Sequence, residues 1–304
     1  MKLLFKTILV IAALSTAVFV SCNKNDDDPY GNTDNYVAKP VEAPVFVKEA
    51  VVVDLTSAPV PVTNKKGDRI KSLEFTESGY AIITTDKYAL KSSNDGETTT
   101  VTTFTYNAGV YDVLGFGKVE IKGATVTITA TGTGDDAPSE NYNGAAEINS
   151  GNSTNDVYSS WKIYTTNVVV KGSGVSVDHL FEGSKASSLY EMAKYINEKK
   201  HVIEADDFKS YDIESVTLTK NGTFLVKFKG ANPYVGDFKL SGKSFSYKLN
   251  VEGNFALNAE ASGSVEIDSK TNLCVLVING QFSYNNDSYT TKVTLNLEQI
   301  KEVK

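Results

Sequence analysis

The chain has 304 residues, 41% hydrophobic and 22% charged, with a formal net charge of -7. That composition can bury a core, which excludes a disordered chain. The acidic excess leaves no basic stripe to neutralise phosphates, which excludes a nucleic-acid partner.

Lys2 and Lys6 give the start of the chain a positive charge, and Thr7 to Val20 form an apolar run too short to cross a bilayer. Residues 1–21 therefore read as a secretory signal rather than a membrane span. The run closes on Phe19-Val20-Ser21-Cys22, which resembles the lipobox of bacterial lipoproteins, with Phe19 where Leu or Val is usual. The resemblance implies lipidation at Cys22, which becomes the new N-terminus. Asn23-Lys24-Asn25-Asp26-Asp27-Asp28 has nothing to bury, so residues 22–44 read as a disordered acidic tether. A cysteine followed by an acidic cluster resembles the surface-export tag of Bacteroidetes lipoproteins. The localisation implied is the outer membrane, facing the cell surface, with a periplasm-facing lipoprotein as the alternative. No later segment is long and apolar enough to form a spanning helix, so the lipid is the expected membrane contact.

The remaining length suggests two domains. Short runs of Thr, Val, Tyr and Phe alternate with polar residues and stop at Gly, Asn, Asp and Ser, the pattern of antiparallel strands. The first β-domain is placed at residues 45–150. Gly132 to Thr154, rich in Gly, Asp, Ser and Asn, reads as a long surface loop plus linker. The second β-domain spans residues 156–304. Its one helix is expected over Ser188–Ile196, where Leu189, Met192, Ala193 and Ile196 make a narrow apolar stripe. Ser188 and Glu191 form a capping box, and Lys199 and Lys200 suit the C-terminal end of the dipole. A stripe this narrow predicts a helix lying across a sheet or barrel mouth. Its neighbours on either side, His179 and His201, read as surface residues.

Two hairpins follow. Ser215–Thr219 and Thr223–Phe228 flank Lys220-Asn221-Gly222, and Asn-Gly tolerates the positive φ that tight hairpins need. Asp237–Leu240 and Ser244–Leu249 flank Ser241-Gly242-Lys243, with Phe238 and Leu240 on one face and Phe245, Tyr247 and Leu249 on another. Cys274 sits in the apolar run Leu273–Ile278 and should pack as a small hydrophobe. With Cys22 acylated it has no disulfide partner, so each domain must rely on its own core. The fold class expected is mostly all-β: two tandem antiparallel barrels or sandwiches, the second with one short amphipathic helix.

The chain also repeats itself. Ile70-Lys71-Ser72-Leu73-Glu74-Phe75-Thr76-Glu77-Ser78-Gly79 parallels Ile213-Glu214-Ser215-Val216-Thr217-Leu218-Thr219-Lys220-Asn221-Gly222 at one constant offset. Gly117-Lys118-Val119-Glu120-Ile121 parallels Gly263-Ser264-Val265-Glu266-Ile267 at nearly the same offset. Two matches in the same order point to a duplicated β-domain, while convergence of hairpins on similar strings is the alternative.

Trp161-Lys162-Ile163, Val168-Val169-Val170-Lys171-Gly172, the helix, Lys220-Asn221-Gly222-Thr223-Phe224 and Gly236-Asp237-Phe238-Lys239-Leu240-Ser241-Gly242 occur in that order. This order resembles the lipocalin-like domains of Bacteroidetes lipoproteins over residues 156–304, with Phe238 where Trp is common. The resemblance implies a calycin-type barrel and a small apolar or amphipathic ligand, with Phe224, Phe228, Phe238, Phe245 and Tyr247 as candidate lining. The alternative is that the same rings fill the barrel as core. No catalytic motif is present: there is no G-x-S-x-G elbow, H-E-x-x-H, P-loop or dinucleotide fingerprint. Neither histidine has metal-ligand spacing, and the Asp206-Asp207 pair points apart. No cofactor, metal or enzymatic activity is expected. Two functions stand. One is a lipid-anchored surface protein capturing a small apolar ligand or glycan fragment; the other is a structural or interaction lipoprotein with filled barrels and an envelope protein as partner.

Overall fold

The structure is a computed structural model that describes residues 47, 49–86, 97–150, 156–172, 174–199, 205–209, 211–220, 222–229, 233–251, 257–284 and 287–300. The signal segment, Cys22, the acidic tether, Lys200, His201 and Asn221 lie outside the described residues. Among the described residues no helix is long and apolar enough to cross a membrane. The chain is mostly antiparallel β-structure in two compact units, one holding the strands from Val51 to Ser150 and the other those from Ser160 to Gln299.

The N-terminal unit contains β1 (Val51–Asp54), β2 (Arg69–Phe75), β3 (Tyr80–Asp86), β4 (Glu97–Asn107), β5 (Val110–Val113), β6 (Gly117–Lys122), β7 (Thr125–Thr129), β8 (Tyr142–Ala145) and β9 (Glu147–Ser150). They form one sheet in the order β8-β7-β6-β5-β4-β3-β2-β1-β9. The two ends of that order, β8 and β9, are separated in the chain by Ala146 alone. Two Cα steps of about 3.8 Å each therefore carry the chain from one edge to the other, so the sheet has to curl until its edges meet. Ala146 is buried at the crossover, and its amide donates to the Ala124 carbonyl (3.0 Å). Around this closure Val53, Leu55, Ile70, Leu73, Phe75, Phe104, Val119, Val126 and Ile128 make one core.

This corrects the reading of Gly132–Thr154 as loop and linker, since two short strands lie within it. They are invisible in the sequence because all their residues stay half-exposed or exposed, which leaves no apolar alternation to read. The stretch before them is also tied down. Asp136 accepts from the Thr100 hydroxyl (2.8 Å), and the Lys65 ammonium donates to the Gly132 carbonyl (2.7 Å).

The C-terminal unit contains β10 (Ser160–Gly172), β11 (Val175–Glu182), a 3-10 turn (Gly183–Ser187), helix α1 (Leu189–Lys199), a second 3-10 turn (Ala205–Phe208), then β12 (Asp212–Leu218), β13 (Thr223–Lys229), β14 (Tyr234–Ser241), β15 (Ser244–Val251), β16 (Leu257–Ile267), β17 (Cys274–Tyr284) and β18 (Asp287–Gln299). Each strand from β12 to β18 pairs with the next, and β18 returns to pair with β10 from Trp161↔Gln299 to Lys171↔Thr290. The ring covers the edges of β12 and β18 over the residues that pair with β10. Trp161, Val168 and Val170 of β10, Cys274, Leu276 and Ile278 of β17, and Val293, Leu295 and Leu297 of β18 alternate into its core.

The repeat seen in the sequence is a repeat of structure at its strongest match. The β2–β3 and β12–β13 hairpins share strand bounds, register and irregularity: Leu73 faces Ile83 as Val216 faces Val226, and the register shifts between Ile70 and Ser72 as it does between Ile213 and Ser215. The turns agree too, with Gly79 at φ 86 and Gly222 at φ 89, a backbone that favours glycine. The hairpins β4–β5 and β14–β15 also correspond: Phe104↔Val113 and Tyr106↔Tyr111 sit in the places of Phe238↔Tyr247 and Leu240↔Phe245. At the second sequence match, a Cβ added to Gly117 would strike the Thr129 carbonyl, and one added to Gly263 would strike the Val277 carbonyl. Both glycines are there because the next strand passes too close for a side chain.

Candidate functional site

The interior of the C-terminal barrel holds four of the five expected lining residues. Phe224, Phe228, Phe238 and Phe245 all belong to its core, with exposures between 1% and 5%. The β14–β15 register sets Leu240 opposite Phe245, and cross-strand partners share a face. Phe238, Leu240 and Phe245 therefore join one core, which corrects the assignment of the two strands to different faces. Tyr247 stands opposite Phe238 in the backbone register.

Three of these rings meet one another. Phe238 stacks on Phe245 (5.6 Å, 28°), and Phe224 meets Phe245 edge-on (6.1 Å, 64°). Tyr158 lies over Phe238 (6.3 Å) from the segment leading into β10, where the Trp161 indole N–H donates to the Val157 carbonyl (3.0 Å). Phe228 stands apart from this group and packs edge-on against Tyr211 (5.6 Å, 82°). A ring lining a lumen wide enough for a ligand would be exposed to that lumen. At these exposures the four rings pack as core side chains do in small closed barrels.

Sequence reasoning missed a different feature, a seam in the barrel wall. β10 pairs with β12 only at Ser160↔Thr217 and Trp161↔Val216; from Thr165 onward the neighbour of β10 is β11. A wedge opens between β11 and β12, and α1 with the first 3-10 turn occupies it, contacting both strands. Leu189, Met192, Ala193 and Ile196 are buried in the barrel's own core. The narrow stripe read from the sequence is thus the strip of helix that completes the wall.

The capping residue holds. Ser188 Oγ accepts from the Glu191 amide (3.4 Å), and the Ser188 carbonyl accepts from Met192 (3.2 Å). The Glu191 carboxylate pairs with Lys185 Nζ at 3.7 Å. The first 3-10 turn is anchored by the buried Thr166 hydroxyl, which donates to the Ala186 carbonyl (2.6 Å). On the outer side of the wedge, the His179 ring of β11 stacks on Tyr195 of α1 (3.9 Å, 18°), and Phe181 meets Tyr195 edge-on (5.7 Å, 86°). His179 is half-buried in this stack, not the surface residue expected. The reason is its place in β11, which turns alternate residues toward the helix.

Charge at the seam is local. Asp206 lies in the second 3-10 turn and pairs with Lys209 Nζ (2.9 Å), which holds the Lys209 pKa above its ordinary value. Lys209 Nζ also stands 5.7 Å from the Tyr190 ring centre, and Lys199 Nζ 5.3 Å from that of Tyr195. Cys274 is fully buried, and burial pushes its thiol up to about 12. It packs as a small hydrophobe, as its sequence context predicts. Among the described residues no cluster of His, Cys, Asp and Glu is placed to hold a metal ion.

No family model matches the chain, and no curated protein matches it. Among solved structures it is similar to a double mutant of the vaccine antigen Transferrin Binding Protein B from Haemophilus parasuis Hp5, at 14% identity and a TM-score of 0.26. The match covers 83% of this chain and 45% of that one, so this chain spans less than half the length of that protein. A likeness at this level adds nothing to the fold described above.

Proposed function

We propose that the chain is a lipid-anchored binding protein of the outer membrane, displayed at the cell surface through Cys22 and without enzymatic activity. Its two tandem domains, at residues 45–150 and 156–304, act as filled barrels that engage an envelope protein through their exteriors. The observation that supports this reading is the mutual packing of the buried rings of Phe224, Phe238 and Phe245. The outer surface offers side chains suited to such contacts. Tyr164 (58% exposed) and Leu180 (49% exposed) project from β10 and β11, and Tyr106 (41% exposed) from β4.

One observation favours the second reading, capture of a small apolar ligand with Phe224, Phe228, Phe238, Phe245 and Tyr247 as lining. The wall between β11 and β12 is closed by helix side chains instead of a hydrogen-bonded strand. Native mass spectrometry of the intact chain, isolated from its own cells, separates the two readings. A mass equal to the acylated polypeptide supports the filled barrels, and a co-purifying small molecule replaces that reading with capture.

A further inference from the structure

The β4–β5 hairpin sets two tyrosines directly opposite each other. Its turn is the two-residue Ala108-Gly109, with φ 49 and φ 87, the pair of positive angles that a type I′ turn requires. Asn107↔Val110 closes the hairpin, and Tyr106↔Tyr111 is the next pair. Alternation along an antiparallel ladder makes that second pair the closely spaced, non-hydrogen-bonded kind, whose side chains approach most nearly. The two ring centroids lie 4.7 Å apart at 47°, at the short end of the range of about 4.5–7 Å for aromatic pairs.

The rings differ in what holds them. Tyr111 is fixed from behind: it stacks on Phe75 (4.0 Å, 18°) and meets Phe104 edge-on (5.3 Å, 67°). Tyr106 is 41% exposed, so a dissolved oxidant reaches it first. Burial above all, then the nearby Tyr106 and Glu49, push the Tyr111 phenol up to about 12. At neutral pH Tyr111 therefore gives up its proton along with its electron. Elsewhere the ring pairs described for Tyr158, Tyr195 and Tyr211 are with phenylalanine or histidine. The duplicated hairpin supplies an internal contrast, because Leu240↔Phe245 stands where Tyr106↔Tyr111 does.

We infer that Tyr106 and Tyr111 form a modification site, at which oxidation by peroxide joins the two rings as dityrosine. Each phenol loses one electron and one proton, and the two radicals couple through a carbon–carbon bond between ring positions next to the hydroxyls. The hydrogens on those carbons then move to the phenol oxygens and restore the rings. The two electrons and two protons released reduce one hydrogen peroxide to two waters, with a haem peroxidase as the carrier. The product ties β4 to β5 by a bond that thiols do not reduce. It lies beyond the proposed function, which uses Tyr106 only as a contact side chain and assigns it no chemistry.

The test treats the full-length protein, at high dilution, with a haem peroxidase and hydrogen peroxide. The intact mass of the single chain should fall by two hydrogens, dityrosine fluorescence should appear, and peptide mapping should find Tyr106 joined to Tyr111. Tyr106→Phe and Tyr111→Phe keep the ring and remove one phenol, and each should lose the cross-link while circular dichroism shows the fold retained. The mapping on the unmodified chain stands independently of how the variants fold. Dityrosine confined to covalent dimers, a cross-link mapped to other tyrosines, oxidised Tyr106 without a link to Tyr111, or phenylalanine variants that gain the same fluorescence as the parent would each overturn the inference.

Discussion

Thr76 and Thr219 make the same corner in the two units. Each hydroxyl accepts from the amide four residues ahead, Tyr80 at 3.0 Å and Thr223 at 2.9 Å, and each donates to the carbonyl of that same residue at 3.0 Å. Beyond each corner the turn glycine repeats a further link: the Gly79 carbonyl accepts from Phe104 (3.2 Å) and the Gly222 carbonyl from Phe238 (2.7 Å). One side chain therefore fixes where each hairpin ends, and the next glycine joins it to the following strand.

Replacing either threonine by valine keeps the shape and removes the hydroxyl from a buried turn. Thr76→Val and Thr219→Val should each cost about 1–3 kcal/mol, the penalty for depriving a buried amide of a partner. Serine at the same positions should recover most of that loss. Urea unfolding of the four variants checks the pattern, and a valine variant as stable as the parent would remove the corner's assigned role.

The glycines separate two kinds of cost. At Gly242, φ is 60 and an added Cβ meets nothing within 4 Å, so Gly242→Ala should cost only the left-handed backbone penalty of about 1–2 kcal/mol. At Gly263 an added Cβ would run into the Val277 carbonyl of the adjacent strand. Gly263→Ala should be the more destabilising of the two, because β16 and β17 must move apart and lose ladder bonds. Thermal unfolding gives the ranking directly, and the reverse order would contradict it.

If the phenylalanines fill the barrel, they behave as core. Phe238→Ala and Phe245→Ala should each destabilise by about 3–5 kcal/mol. Their stacking at 5.6 Å should appear as a coupling of about 0.5–1.5 kcal/mol in a double-mutant cycle. Near-neutral single variants would instead mean the rings line space that nothing occupies.

Cys274 predicts a pH dependence. Its thiol is pushed from an ordinary value of 9.0 up to about 12 by burial, so the folded state holds the proton where the unfolded state has lost it. The contribution is constant below pH 9 and falls as pH rises from 9 toward 12, by about 1.4 kcal/mol per pH unit. Cys274→Ala lacks this component, so the stability gap between parent and variant should change with that slope above pH 9 and stay flat below it. Denaturant midpoints at a series of alkaline pH values measure it, and a gap independent of pH would show that the thiol titrates alike in both states.

Much of the fold was legible along the chain. The hairpins β12–β13 and β14–β15 follow from alternation and from turn glycines, and α1 follows from its stripe and the Ser188 cap. The burial of Cys274 follows from its apolar neighbours. What was not legible had a common cause. β8 and β9 carry no buried side chains, so period-two alternation gives them no mark, and the half-burial of His179 depends on a helix that packs across β11.

The sequence by itself determined which segments become strands, where the turns fall and that one hairpin occurs twice, because propensity, alternation and turn chemistry act within a few residues. Only the tertiary structure decided how the sheets close: β18 on β10 in one unit, and β8 and β9 meeting through Ala146 in the other. Only it decided that α1 would fill the wedge β10 leaves when it exchanges β12 for β11. Ladder bonds between distant strands are made by backbone groups that every residue carries alike. Their pairing is settled by the shape into which the side chains pack.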